Sequence, residues 1–318
     1  MTPVIEVKNL KKYFPTAHGL LHAVDDVSFT IQNGKILGVV GESGCGKSTL
    51  GRTIIHLLSS TEGQILYNGK DITNPTGKEL KQLREKLQII FQDPYSSLDP
   101  RLPVEEAIME PLVASHLYTR AERREKVTRM MELVGIDERL RRSYPHELDG
   151  GRRQRVVIAR SLIMEPEFVV CDEPVSALDV SIQAQVLNLL HDLQKQRGLT
   201  YMFVTHDMSV VRHISDDICV MYLGQVVEKS PARELFANPM HPYTQALISA
   251  IPSVDIHHKK SIELLHGELT SPINPKPGCR FMARCKYACE GCHEKQTLQE
   301  ISPQHFVACH RVTKKEIT

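Results

Sequence analysis

A chain of 318 residues has room for one large α/β domain and a smaller appendage. Its 39 Lys and Arg against 38 Asp and Glu leave a formal charge of +1, so no net field favours a nucleic acid partner. Apolar runs such as residues 36–40 and 168–171 are far shorter than a membrane span, and the opening Met1-Thr2-Pro3-Val4 lacks a secretory pattern, so a soluble cytosolic protein is expected.

Residues 4–7 and 24–31 alternate apolar and polar side chains as strands do, with a loop expected over 14–19 between them. Tyr13 lies just before that loop and reads either as a platform for a nucleobase or as a core tyrosine. Residues 36–40 form an apolar run that predicts a buried strand, followed by Gly41-Glu42-Ser43-Gly44-Cys45-Gly46-Lys47-Ser48-Thr49 and a helix over 47–58. This fits G-x-x-x-x-G-K-[ST] with Gly41, Gly46, Lys47 and Ser48 in register. Glycines let consecutive N–H groups curl inward around a polyphosphate, and the helix N-terminus adds positive potential. Lys47 brings a point charge to the β and γ phosphates, and the Ser48 hydroxyl is placed to ligate Mg²⁺. The chain therefore binds a nucleoside triphosphate.

Residues 63–70 read as a hairpin around Asn68-Gly69. Residues 87–91 predict a buried strand that ends at Gln92, and residues 92–100 a loop; Gln92 orients Mg²⁺ or water, or caps the loop. Residues 103–146 are expected to be helical. Val127, Met130, Met131 and Val134 give one helix a single apolar face that stops at Gly135, with Arg120, Arg123, Arg124 and Arg129 on a solvated face. Asp149 occupies an N-cap position before Gly150 and Gly151, whose bare N–H groups can receive an anion. Residues 168–173 predict a strand ending in Asp172 and Glu173; in a phosphate-loop protein an acid there holds Mg²⁺ through water, and the next polarises the attacking water. Leu178-Asp179 precedes a further helix, and the strand over 201–204 delivers His206, a γ-phosphate contact or a structural histidine.

Taken together, the phosphate loop 41–49, the Gln92 loop, the signature-like 148–155, the strand 168–173, the Ser176-Ala177-Leu178-Asp179 turn and His206 resemble the ATP-binding subunit of an ABC transporter over roughly residues 4–235. The resemblance implies a P-loop ABC ATPase domain at 1–235, with a RecA-like core, an antiparallel β subdomain and a helical subdomain at about 93–155, followed by a Cys-rich extension at 236–318. It also implies that Tyr13 stacks on adenine, Gln92 senses the γ-phosphate and a membrane partner, Asp172 binds Mg²⁺ through water, Glu173 is the catalytic base and His206 holds the γ-phosphate. ATP then lies between one subunit's phosphate loop, residues 41–49, and the other subunit's signature, for which Asp149, Gly150, Gly151 and Asp179 are this chain's contribution. The run from Phe91 to Arg101, His241-Pro242-Tyr243-Thr244, Ser271-Pro272-Ile273-Asn274-Pro275 and Gly278-Cys279-Arg280-Phe281 look like the peptide and nickel importer group, and within it the second ATPase subunit of dipeptide and oligopeptide importers. That implies a sister ATPase in a heterodimer, two permeases, an extracytoplasmic binding protein, and a peripheral place on the cytoplasmic face of the membrane. Nickel or opine uptake is the alternative cargo. An ABC ATPase acting on DNA or ribosomes is the alternative class, but the chain lacks the long coiled-coil insertion of the former and the paired ATPase units of the latter.

The family signature has Ser at Asp149 and Gln at Arg152. A carboxylate ~4 Å from a phosphate is repelled by roughly 1 to 4 kcal/mol per unit charge, depending on local dielectric, and Arg152 can offset it. The expectation is asymmetry: the site using this chain's Lys47, Glu173 and His206 is complete, and the site using its signature is altered.

Five of the eight cysteines, Cys279, Cys285, Cys289, Cys292 and Cys309, crowd into the tail, which points to a metal rather than a disulfide scaffold. Four thiolates suit tetrahedral Zn²⁺ or an iron–sulfur cluster, and free thiols are the third reading of the residues alone. Family resemblance implies a 4Fe–4S cluster on Cys279, Cys285, Cys292 and Cys309, with Cys289 surplus. Cys45, Cys171 and Cys219 read as small core or loop residues.

Overall fold

The computed structural model describes residues 2–251 and 271–317; residues 252–270, inside the expected extension, lie outside the described residues. The chain divides into two compact units, Met1–Asn74 with Phe203–Thr318, and Pro75–Met202.

The first unit begins with β1 (Ile5–Thr16) and β2 (Gly19–Ile31), an antiparallel pair whose register closes at Thr16↔Gly19. The expected loop over 14–19 is therefore a tight turn at Ala17 and His18. Pro15 is tolerated because β1 pairs with β4 only as far as Lys11, so its missing N–H faces no second neighbour. β3 (Ile36–Val40) is buried at every residue, as its unbroken apolar run requires. α1 (Lys47–Ile54) is shorter than expected: His56 turns left-handed at φ 58°, and the N–H groups of Leu57 and Leu58 fold back onto the Arg52 carbonyl at 2.9 and 3.1 Å. β4 (Glu62–Tyr67) and β5 (Lys70–Asp71) form the foreseen hairpin, with Asn68 and Gly69 both at positive φ.

The second unit opens with α2 (Gly77–Lys86), which the apolar pattern does not announce. Its signal is the reciprocal cap of Thr76 and Glu79. β6 (Leu87–Ile90) leads to α3 (Pro94–Ser97), one helical turn inside the expected loop, capped by the Asp93 carboxylate accepting from the N–H groups of Tyr95 and Ser96. The helical stretch 103–146 is broken into α4 (Val104–Ser115) and α5 (Arg120–Val134), with short 3₁₀ turns after them. Val127, Met130, Met131 and Val134 are buried as expected, and Gly135 ends α5 at φ 69°. α6 (Gly150–Leu162), β7 (Phe168–Asp172), α7 (Val180–Arg197) and β8 (Thr200–Thr205) follow, with β6 and β7 parallel. β8 carries the chain back to the first unit.

There α8 (Met208–Ile214), β9 (Asp217–Tyr222), β10 (Gln225–Pro231), α9 (Ala232–Ala237) and α10 (Pro242–Ser249) precede the tail, where β11 (Gln299–Ser302), β12 (His305–Val307) and α11 (His310–Thr313) complete the chain. Within this unit the strand order runs β11-β12-β10-β9-β3, with β3 and β9 parallel and β12 antiparallel to β10. The tail is thus ordered by strand addition and by burial of Phe281, Val307 and Val312, burial that its weak apolar periodicity did not reveal. A second lock is the buried Glu228 carboxylate, which accepts the N–H groups of Met240 (2.8 Å) and His241 (2.9 Å) and pairs with Nε2 of His305 at 2.7 Å.

Candidate nucleotide site

At the end of β3 the chain turns at Gly41, Gly44 and Gly46, all at positive φ. A Cβ on Gly41 would sit 2.1 Å from the Met221 carbonyl oxygen, and one on Gly46 1.9 Å from that of Ala23. No other residue type fits either position. Gly46 is the N-cap of α1 and supplies no side-chain acceptor, so the first turn's N–H groups are not claimed by a capping side chain, as a polyphosphate cradle requires. Lys47 is buried, its ammonium donating to the carbonyls of Gly41 (2.8 Å) and Glu42 (2.9 Å). Ser48 and Thr49 are half-buried in the same first turn, Ser43 and Gly44 are exposed at the tip, and Cys45 is buried beneath it. This arrangement fits a triphosphate.

Sequence reasoning missed what holds the loop. The Glu42 carboxylate accepts a two-pronged pair from Arg284, at 2.7 and 3.0 Å, and the Glu42 N–H donates to the Tyr243 hydroxyl at 2.9 Å. Tyr13 lies half-buried with its ring stacked on His22, centroids 3.9 Å apart, and its hydroxyl donates to Asp25. Arg280 bridges Asp25 and the Leu223 carbonyl. The runs containing Tyr243 and Arg280 were legible as family marks, but Arg284 lies outside them and nothing local links it or Tyr243 to residue 42.

In the other unit, Asp172 is buried at the end of β7, and Glu173 follows at φ 47°. A left-handed glutamate is costly by about 1 kcal/mol or more. Gln92 Nε2 donates to Glu173 Oε2 at 3.0 Å, so these two expected site residues are brought together. Asp149 caps α6, accepting the Arg152 N–H at 2.8 Å, and the Arg152 guanidinium lies 3.3 Å from the same carboxylate. The charge offset expected between them is therefore in place. Gly150 follows the cap, and a Cβ on Gly151 would lie 2.6 Å from the Ile182 side chain. Asp179 caps α7, its carboxyl held below the usual range by the Ile182 N–H and the Ser181 hydroxyl. The flanking Arg153 is buried, donating to the carbonyls of Pro145 (2.9 Å) and Leu148 (2.6 Å), with its guanidinium 3.5 Å from the centre of the Tyr95 ring. In the first unit, His206 is exposed after β8, just before the Asp207 cap of α8.

The cysteine tail departs from expectation. Among the described residues no group of three or more His, Cys, Asp or Glu side chains is arranged to hold a metal ion, so neither a 4Fe–4S cluster nor Zn²⁺ on Cys279, Cys285, Cys292 and Cys309 is supported. The thiol contact that does form, 3.7 Å, joins Cys292 to Cys289, the residue expected to be surplus. Burial pushes the Cys279 thiol up to about 12. Cys45, Cys171 and Cys219 are buried as expected.

The ABC transporter family profile matches residues 24–176, and the profile of the oligopeptide/dipeptide transporter C-terminal region matches residues 227–292. The chain is 50% identical to the oligopeptide transport ATP-binding protein AppF of Bacillus subtilis, over 96% of this chain and 97% of that one. It is 46% identical to the dipeptide transport ATP-binding protein DppF of Haemophilus influenzae, over 98% and 97%. Among solved structures, a post-hydrolysis dimer of the ATP-binding cassette MJ0796 bound to ADP and Pi is similar at a TM-score of 0.66 and 29% identity, covering 72% of this chain and 99% of that one. CbiO1 of Clostridium perfringens, part of the cbiONQ transporter complex, is similar at 0.67 and 31%, covering 75% and 92%. Among the described residues no helix is long and apolar enough to cross a membrane.

Proposed function

The chain belongs to the ABC transporter ATP-binding family, in its oligopeptide and dipeptide branch, and from that membership we propose that it hydrolyses ATP to energise uptake of short peptides. The observation that carries this reading is one chain holding both the Gly41–Lys47 phosphate cradle and a C-terminal region of the peptide-transporter type. Permeases and an extracytoplasmic binding protein follow from such a role, and we place the chain on the cytoplasmic face of the membrane, paired with a sister ATPase.

In this reading Tyr13 carries the adenine. The N–H groups over residues 41–49 and the Lys47 ammonium hold the β and γ phosphates, and His206 steadies the γ-phosphate. Ser48, Gln92 and Asp172 are the residues to hold Mg²⁺, which when bound neutralises charge on the β and γ oxygens. Glu173 aims a water at the γ-phosphorus; the new P–O bond forms as the bond to the bridging oxygen breaks, leaving ADP and phosphate. Asp149, Gly150, Gly151 and Asp179 serve the sister's nucleotide, at an altered site. A 4Fe–4S cluster in the tail rests on the family's cysteine pattern alone, and an iron and acid-labile sulfide assay on anaerobically purified protein tests it.

The functional test is reconstitution with the sister subunit, the two permeases and the binding protein in lipid nanodiscs. Peptide-loaded binding protein is expected to stimulate phosphate release, and Glu173→Gln to abolish the stimulated rate. Stimulation by nickel chelates and not by peptides overturns the cargo.

A further inference from the structure

We propose that Arg284 is a positioning residue for the phosphate loop, through which the C-terminal tail sets the affinity of this chain for the triphosphate. The inference deepens the nucleotide-binding reading and rests on it. Glu42, the residue after the first loop glycine, is an awkward choice beside an anion site: a carboxylate there repels a polyphosphate and lowers its binding unless the charge is cancelled. Arg284 cancels it. Both of its terminal nitrogens donate to the two Glu42 oxygens, at 2.7 and 3.0 Å, the fork geometry that fixes direction as well as charge. The side chain is only 8% exposed, against 24% for Glu42, so the pair is poorly screened by solvent. Glu42 beside it holds the guanidinium in the charged form.

The grip reaches the backbone as well. Tyr243, wholly buried, accepts the Glu42 N–H, and the Glu42 carbonyl accepts from the Lys47 ammonium at 2.9 Å. Side chain, N–H and carbonyl of one loop residue are thus each held, two of the three by residues C-terminal to position 242. Phe281, three residues before Arg284, is buried edge-on against Tyr222 and tilted against Tyr243, centroids 5.2 and 5.4 Å away, which fixes the segment that delivers Arg284. A tail that packed only for stability would not need a buried fork on the one acidic residue of the anion loop.

The test is equilibrium dialysis of labelled Mg-AMP-PNP against the full chain, beside ATP kinetics of the assembled transporter. Arg284→Met is expected to weaken nucleotide binding about tenfold, equivalent to about 1.4 kcal/mol, and to raise KM for ATP with kcat at saturation unchanged. Arg284→Lys keeps the charge without the fork and falls between. Arg284→Met with Glu42→Gln removes both charges and is expected to return affinity to within about threefold of the parent, since each factor of ten is about 1.4 kcal/mol. Parental affinity in Arg284→Met, or a double variant as weak as the single one, overturns the inference. Should Arg284→Met fail to fold, Arg284→Lys and the double variant carry the same comparison. Failure of the unaltered chain to retain the nucleotide is a different result, because it removes the nucleotide-binding reading itself.

Discussion

Replacing Arg153 by methionine empties a buried cationic position in the second unit while keeping most of the apolar stem. The guanidinium makes two hydrogen bonds to backbone carbonyls, of Pro145 and Leu148, and stacks on Tyr95. Charge-assisted hydrogen bonds contribute about 1.5 kcal/mol each at the low end, and the cation–π contact with the exposed Tyr95 ring about 1 kcal/mol. Against these stands the desolvation of the guanidinium, which its loss relieves, so the net cost of Arg153→Met is expected to be about 3 kcal/mol. Urea unfolding of the full chain followed by far-UV circular dichroism measures it. Tyr95→Leu, which removes only the stacking, is expected to cost about 1 kcal/mol, and the double variant to show coupling of about that size. The Pro145–Leu148 segment leads straight into the Asp149 cap, so loosening it should also slow turnover in the assembled pair. If Arg153→Met unfolds within about 0.5 kcal/mol of the parent, the ordinary range of a surface substitution, the account of Arg153 as the tie between these segments is wrong.

Glu173→Gln preserves shape and the Gln92 contact distance but removes the base, so phosphate release should fall at least about a hundredfold while nucleotide is still retained; intact turnover, with loss instead on the sister's equivalent change, reverses the assignment of the complete site. Asp149→Ser should leave stability within about 0.5 kcal/mol and Asp149→Ala should cost about 1 kcal/mol, because the cap to the Arg152 N–H survives only in the first; turnover at the sister's nucleotide is expected to rise in the serine variant if the carboxylate impairs that site. Burial lowers His241 to about 4 despite the nearby Glu228, so the folded chain binds fewer protons there than the unfolded chain between about 4 and the ordinary 6.5. Its contribution is therefore full above pH 6.5 and lost as pH falls towards 4, a swing of about 3 kcal/mol at 1.36 kcal/mol per unit. His241→Asn, which can still cap Tyr243, should flatten stability over that window, and an unchanged pH profile would count against the assignment.

The sequence by itself determined the phosphate loop, the strand that precedes it, the acids at the end of β7 and the Asp149 cap, because each of these depends on residues within one or two turns of one another. Alternation along β1 and β2 and Asn68-Gly69 at a hairpin are local signals, and the glycine motif at 41 and 46 is legible in one short run even though the carbonyls of Met221 and Ala23 enforce it from a distance. The tail was opaque for the opposite reason. Its order comes from a strand added to β10, and its contact with the loop joins residues 242 positions apart, through Arg284 and Glu42. Crowding of the cysteines suggested a metal as a source of that order, and nothing in that pattern announced the burial of Phe281, Val307 and Val312. Only the tertiary structure could decide this, since which arginine reaches which carboxylate is set by strand order and by the turns that bring the segments together, and neither is written in any short stretch of sequence.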